Sequence, residues 1–307
     1  MPYRLQTDEH VQDGLRRCAR ERLDRAIAQL TERVSEDPVA AVHEARKALK
    51  QERSLLRLAR GTLAADERRR DNAALRHAAR TLSAARDAEV MLQALDELSE
   101  RFAGQLPQAA FNAIRHRLEA ERDPARQRLL DAGLTVAVAD ELRAGRSRID
   151  EWSMSRGGWK ALAPGLRRGY RGGRRAFAHA RETGTAESLH EWRKRTKDLW
   201  YHLRLLKALS PAIIGGHADE AHGLSDLLGD DHDLALLRKQ LRSGAGELAV
   251  DIDAVIELID HRREQLQTEA LLVGERLYAE PPKVFVRRIH RYWEASRAAR
   301  EPVALAR

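Results

Sequence analysis

The sequence predicts an all-α protein, and three observations predict it. Apolar residues recur at helical spacing almost throughout, and no segment alternates in the strict way of a half-buried strand. Ala, Leu, Arg and Glu dominate the composition while aromatic residues make up only 5%, a balance that favours long helices over sheets. The chain also repeats itself at a period near 147 residues, too long for a solenoid and suited to two copies of a helical bundle.

Taken in order, the periodicity places helices over 9–33, 38–60, 66–98, 108–132, 136–149, 164–182, 189–209, 217–242, 249–279 and 283–299. Breaks are signalled at Asp37-Pro38, Gly61, Gly104 to Pro107, Asp123-Pro124, Pro211, Gly215-Gly216, Gly244 to Gly246 and Pro281-Pro282. Ser188 with Glu191 reads as a capping box that starts a helix just before His190. Four landmarks recur in the same order. Gly14-Leu15-Arg16-Arg17 returns as Gly165-Leu166-Arg167-Arg168, and VHEARKALK (42–50) returns as LHEWRKRTK (189–197). LSAARDAEVML (82–92) resembles LGDDHDLALL (228–237), and Arg115-His116-Arg117 falls over Asp260-His261-Arg262. The glycines and proline of 150–164 mark the boundary, which divides the chain into a first bundle over 1–155 and a second over 156–307.

A chain of 307 residues is long enough to bury a substantial core. No run of about 18 apolar residues occurs, so no transmembrane helix is expected. The N-terminal stretch lacks the apolar core of a secretory signal. Cys18 stands alone, which rules out an internal disulfide, points to a reducing cytoplasm and fits a small helix-packing residue. The formal charge is +8, and 47 of the 55 cations are arginine. That balance suggests a polyanionic partner: nucleic acid, an anionic membrane surface or a phosphate polymer.

The placement of the cations narrows this. On the helix over 38–60, Val42, Ala45, Leu49, Leu56 and Ala59 share an apolar arc of about 100°. His43, Arg46, Lys47, Lys50 and Arg57 form a second stripe about 110° away, beside the core face and not opposite it. The second copy repeats the arrangement with Leu189, Trp192, Leu203 and Leu206, Thr196 being its one polar exception, next to His190, Arg193, Lys194, Lys197 and Arg204. A helix built this way lines a groove. Glu44 and Glu52 lie off the basic arc, so few carboxylates at i+4 compensate it. From Trp152 to Arg181 there are eight Lys and Arg and no acidic residue, and Arg168, Arg171 and Arg175 share one face. Crowded cations repel, and a bound polyanion would relieve the cost.

The histidines admit several readings. A metal site would need several ligands at i, i+4 spacing, and there is no HExxH or HxxxH; Asp230-Asp231-His232-Asp233 comes nearest, and reads equally as a helix start or a packing motif. A phosphorylated histidine would need a kinase-like partner. A purely structural histidine is the plain alternative. The preferred reading is a neutral donor that becomes cationic when phosphate arrives, with His190 in the first turn of its helix where free N–H groups also attract anions.

At these residues the sequence resembles the CHAD family, the conserved-histidine α-helical domain. The first copy matches the family's H-x-x-R-x-x-x-[RK]-x-x-R run through His43, Arg46, Lys50 and Arg53. The second matches H-x-x-R-K-x-x-K through His190, Arg193, Lys194 and Lys197, followed by Tyr201. Arg86-Asp87 matches the family's "RD", and Leu228-Gly229 with Asp233 its "LG…D". The likeness runs from about 8 to 300, with departures at Gln51, Glu52, Ser83, Trp200 and Arg204. It implies two antiparallel four-helix bundles related by a pseudo-two-fold. It further implies a basic channel or groove that binds inorganic polyphosphate, without catalysis, on polyphosphate granules in the cytoplasm.

On that reading the two basic stripes face each other, Arg16, Arg17 and Arg20 with Arg168, Arg171 and Arg175 close the walls, and granule proteins are possible further partners. No cofactor, metal or catalytic residue is expected. Two other functional classes make different demands on the sequence. A nucleic-acid binder should interleave stacking aromatics with the cations, whereas only Tyr170 and Trp200 stand near the stripes and no RRM, KH or helix-turn-helix signature occurs. A polyphosphate hydrolase or kinase needs a metal-binding carboxylate set or a nucleotide loop, and no GxxxxGK[ST] is present.

Overall fold

The computed structural model describes residues 3–131, 133–243 and 252–298, with the side chains of 84–88 and 125–131 excepted. Among the described residues there are eleven α-helices and no strand. They are α1 (Val11–Ala28), α2 (Pro38–Leu58), α3 (Ala65–Thr81), α4 (Ala84–Arg101), α5 (Gln108–Asp131) and α6 (Leu134–Arg148). After the 150–157 connection come α7 (Gly158–Thr183), α8 (Ala186–Leu206), α9 (Pro211–Ser243), α10 (Ile252–Leu277) and α11 (Pro282–Ala298). The four sequence landmarks lie on α1 and α7, on α2 and α8, on α4 and α9, and on α5 and α10.

Local chemistry explains most boundaries. Asp37 caps α2: its carboxylate accepts from the N–H groups of Val39 and Ala40 at 3.1 and 3.0 Å, and Pro38 occupies the first turn, where a missing N–H costs nothing. Gly184, with φ of 59°, stops α7 in the left-handed conformation that glycine adopts without strain. Thr185, not Ser188, caps α8, its hydroxyl accepting from Ser188 N–H at 3.2 Å. Helix α8 therefore starts a turn earlier than the capping-box reading places it. His190 lies in the second turn, where its own N–H is already inside the helical ladder, so it does not belong to a helix-terminal anion site.

Four other expectations change, the first being the break at Asp123-Pro124, since α5 runs through Pro124. The segment 66–98 is two helices, separated at Leu82-Ser83. Helix α7 begins at Gly158 and runs through Pro164, and α9 begins at Pro211 and runs through Gly215-Gly216. Burial outweighs local propensity in both: Ala161 and Leu162, like Ile214 and Ala218, sit in the core, and tertiary packing offsets the roughly 1 kcal/mol that each helical glycine costs.

The core is in two parts, and neither follows the halves of the chain. The larger takes side chains from α1, α2, α3, α6, α7, α8, α11, the first half of α9 and the end of α10. The smaller joins α4 and α5 to the second half of α9 and the first part of α10, through residues such as Leu95, Ile114, Leu237 and Ile259. Helix α9 thus belongs to both.

One face of α2 holds buried polar groups. Gln51 accepts from Arg22 at 3.1 Å through its side chain and from the Tyr3 hydroxyl at 2.9 Å through its carbonyl. Beside them Glu52 is 1% exposed, and burial, reinforced by the charge of Asp71 and opposed by Arg22, pushes its carboxyl up to about 8. A carboxyl whose pKa is raised on folding supports the fold fully below its unfolded value and loses that support as pH rises through the folded value. Replacing Glu52 with Gln should therefore flatten the fall in melting temperature between about 4.5 and about 8. Parallel pH profiles for the wild type and E52Q would remove the assignment.

Candidate anion-binding groove

The site begins with glycine. A Cβ at position 165 would collide with the carbonyl oxygen of Leu58, and one at 169 would lie 2.9 Å from the His202 ring. These bare positions let α7 pack backbone-close on the end of α2 and on α8. His202 completes the contact, being wholly buried with Nε2 donating to the Ser54 carbonyl at 3.0 Å. Burial pushes its pKa down to about 4, so it packs as a neutral ring. The arginines of RRGYRGGRR flank the glycines and are left standing at the edge of the contact.

That edge is a groove of about 640 Å³ between α2, α3, α7 and α8. Arg57 enters it from the end of α2 and Arg60 from the 3-10 turn Ala59–Gly61 that follows, Arg68 and Arg76 from α3, Arg168, Arg171 and Arg175 from α7, and Arg195 from α8. Two carboxylates, Glu191 and Asp198, also line it. They are already engaged: Arg57 pairs with Asp198 at 2.8 Å, and Arg195 with Glu191 at 2.7 Å. Arg60, Arg68, Arg76, Arg168, Arg171 and Arg175 have no carboxylate partner among the described residues.

The arginines repel one another. Burial and then the charges of Arg68 and Arg168 hold Arg60 below its ordinary value; burial, Arg69 and Arg168 do the same to Arg68. Arg53, beside the groove with its Nε donating to Asn72 at 3.3 Å, is pushed down to about 10 by burial, Arg57 and Arg76. Guanidinium groups are very hard to deprotonate, so these shifts register burial first and, after it, repulsion from neighbouring arginines.

A second basic cluster forms where α2, α8 and α9 meet. The rings of His190 and His232 lie 4.2 Å apart, and Lys50 and Arg193 act on both. Burial first, then Lys194 and Arg193, lower His190; burial, His190, Arg193 and Lys50 push His232 down to about 4. Both imidazoles are therefore neutral at physiological pH, and His190 Nδ1 is buried without a hydrogen-bond partner. Arg193 rests on Gly229, where a Cβ would come within 3.2 Å of its guanidinium, which accounts for the glycine of Leu228-Gly229. Asp231 is structural: it accepts from Arg263 at 3.0 Å and Gln267 at 2.7 Å. Among the described residues no group of three or more His, Cys, Asp or Glu could hold a metal ion.

The other sequence-selected residues lie elsewhere. Arg46 donates to the Ala79 carbonyl at 2.6 Å and so caps α3. Lys47 pairs with Glu44 at 3.1 Å and Lys194 with Glu191 at 2.5 Å, so the basic stripes have more carboxylate compensation, at i,i+3 spacing, than their arcs suggest. Lys197 and Arg204 lie over the Trp200 ring, at 5.7 and 5.3 Å. Tyr201 is 1% exposed and packs edge-on against Tyr3, too deep to touch a ligand. Arg16 donates to the Trp152 carbonyl at 2.8 Å, Arg17 pairs with Glu9 and Glu21, and Arg20 pairs with Asp150 at 2.5 Å; all three stand outside the groove lining. His43 is half-buried on α2. Arg86 lies on α4 with its side chain outside the described residues.

Four groove arginines were not selected in the sequence: Arg60, Arg68, Arg76 and Arg195. Arg60 could have been found, because it continues Arg53 and Arg57 at helical spacing. Arg68 and Arg76 belong to α3, whose approach to α7 is a matter of tertiary packing.

Residues 14–242 match the CHAD domain family. None of the curated proteins matches by sequence. Among solved structures, PptA from Streptomyces chartreusis is similar with a TM-score of 0.64 and 14% identity, over 89% of this chain and 100% of that one. The CHAD domain from the plant Ricinus communis is similar with a TM-score of 0.53 and 19% identity, over 96% of this chain and 97% of that one. At such identities the two likenesses establish a shared fold, whereas the family match spans most of the sequence and carries its basic helices. The chain belongs to the CHAD domain family.

Proposed function

We propose that this protein binds inorganic polyphosphate, without turning it over, in the arginine groove between α2, α3, α7 and α8. The observation that carries the reading is six arginines held together without carboxylate partners at the cost of mutual repulsion. A polymer with one negative charge per phosphate and no bases offers only charge density and shape. A cluster of guanidinium forks suits that ligand, each able to make a bidentate phosphate contact.

In this reading Arg57 and Arg195 keep their carboxylates and shape the walls, while the unpaired arginines take the chain. The cluster of Lys50 from α2, His190 and Arg193 from α8 and His232 from α9 extends the positive field. The two chain halves, 1–155 and 156–307, act as two copies that contribute one wall each, and the bound polymer carries the protein to cytoplasmic polyphosphate granules. A nucleic-acid reading loses its stacking residues. Tyr170 is stacked on Phe285 at 4.0 Å inside the core, and Trp200 is buried beneath Lys197 and Arg204. No described helix is long and apolar enough to cross a membrane.

The direct test replaces Arg60, Arg68, Arg168 and Arg171 with Gln and titrates long-chain polyphosphate, with duplex DNA as competitor. Binding should be lost while far-ultraviolet circular dichroism is unchanged, and wild-type affinity should fall steeply with salt through counterion release. Retained polyphosphate binding in the quadruple variant, or equal displacement by DNA, would defeat the reading.

Repulsion makes a second expectation. Arg168→Gln alone should raise the melting temperature by about 1–3 °C at low ionic strength without ligand, and this gain should shrink as salt is added. A loss of stability on that substitution would show that Arg168 has a partner in the folded protein.

The histidine pair makes a third. Phosphate near Lys50 and Arg193 would offset the cations that hold His190 and His232 down, so binding should draw in protons. Calorimetric titration near neutral pH in buffers of different ionisation enthalpy measures the uptake. His190→Gln with His232→Gln should reduce it, and an uptake of zero in the wild type would remove the histidines from the ligand's neighbourhood.

A further inference from the structure

A second basic groove lies on the other flank of α7. It measures about 490 Å³, runs between α7 and the α10–α11 corner, and presents Arg171, Arg174, Arg175 and Arg181 beside the rings of Phe177 and Tyr278. Arg171 and Arg175 line both grooves. At about 100° per residue, Arg168, Arg175, Arg171, Arg174 and Arg181 follow one another around α7 within an arc of about 140°. Along the axis they span about 20 Å. The positive band is therefore continuous across the helix at Arg171 and Arg175, and the one carboxylate that α7 carries, Glu182, stands about two turns beyond Arg175.

The second groove is also held open by its own contacts. Arg174 Nε donates to the Tyr278 carbonyl at 3.2 Å, and the Arg181 guanidinium lies 5.4 Å from the centre of the Phe177 ring. Its single carboxylate, Glu275, pairs with Arg181, both being half exposed. An exposed pair of that kind contributes little to stability, so a phosphate can replace it at little cost.

We infer that a long polyphosphate chain crosses α7 at Arg171 and Arg175 and continues into this second groove, making one track on which long chains are held more tightly than short ones. This rests on the polyphosphate reading above. The ligand must carry charge at every unit and bend around a helix without bases to accommodate, which a phosphate polymer does. A short oligophosphate is satisfied by the first groove alone.

The test uses the full chain and two probes, tripolyphosphate and long-chain sodium polyphosphate. Arg174→Gln with Arg181→Gln should leave tripolyphosphate affinity unchanged. Long-chain affinity should fall about tenfold, and its salt dependence should lose about one to two counterions. Glu275→Gln, a surface change, should strengthen long-chain binding and leave tripolyphosphate untouched, and it decides the matter alone where the double variant does not fold. Long-chain binding unchanged in the double variant or in Glu275→Gln, or equal losses for both probes, would overturn the track. A wild-type protein that binds neither probe would instead overturn the groove reading on which the track depends.

Discussion

The close approach of α7 to the end of α2 is the contact on which the rest of the molecule depends. It is made possible by missing side chains: any residue larger than glycine at 165 would strike the Leu58 carbonyl, and one at 169 would strike His202. Small-to-large changes in a packed contact cost about 1–3 kcal/mol and force backbone shifts. Because the helices meet along their backbones, the neighbouring side chains cannot be buried between them. They are long and charged, and they collect at the margin, where α3 closes the fourth side. The groove is thus a by-product of a packing requirement, and its chemistry follows from the residues that border the glycines.

Such an arrangement lowers stability by gathering cations, and the fold must supply the difference. It does so through two cores that tie the halves of the chain together. Helix α9 runs through both cores, with Ile214 to Leu228 in one and Leu234 to Leu241 in the other. Between them Asp231 fastens α9 to α10 through Arg263 and Gln267. Across the halves, Arg57 reaches Asp198 and His202 reaches the Ser54 carbonyl. The groove walls are therefore anchored from both halves of the chain, and loss of either half would leave the other with an exposed apolar face. That interdependence explains why neither core is confined to one half of the chain.

The fold class was legible because helical periodicity and composition agreed over almost the whole chain. The basic stripes were legible too, yet only part of each belongs to the groove. Arg57, Arg168, Arg171 and Arg175 reached it, while Arg46 became a cap, Lys197 and Arg204 settled on Trp200, and Tyr201 went into the core. An angular position on a helix states which direction a side chain leaves. It does not state what lies there. Arg16, Arg17 and Arg20 look as basic in the text as Arg168 and Arg171, and their difference lies in their partners: Glu9 and Glu21, near in sequence, for Arg17, and the remote Trp152 carbonyl and Asp150 for Arg16 and Arg20. The start of α8 was misplaced for a similar reason: Ser188 and Glu191 satisfy a capping pattern, but Thr185 satisfies it a turn earlier, directly after the glycine that ends α7.

Helix α2 shows how one element serves three environments at once. Val42, Ala45 and Leu49 face the larger core, Arg53 and Arg57 face α3 and the groove, and Gln51 with Glu52 face α1 and the buried Arg22. Gln51 and Glu52 thus lie on the face directed at α1, where they are joined by Tyr3 and Cys18. A change there alters how α1 seats on α2, and with it the stability and its pH dependence. It leaves the groove arginines in place, because these are positioned by Gly165, Gly169 and the Arg57–Asp198 pair on the other side of the same helix. Ligand binding and the tolerance of α1 packing can therefore vary independently along one stretch of sequence, since neighbouring residues on a helix point about 100° apart.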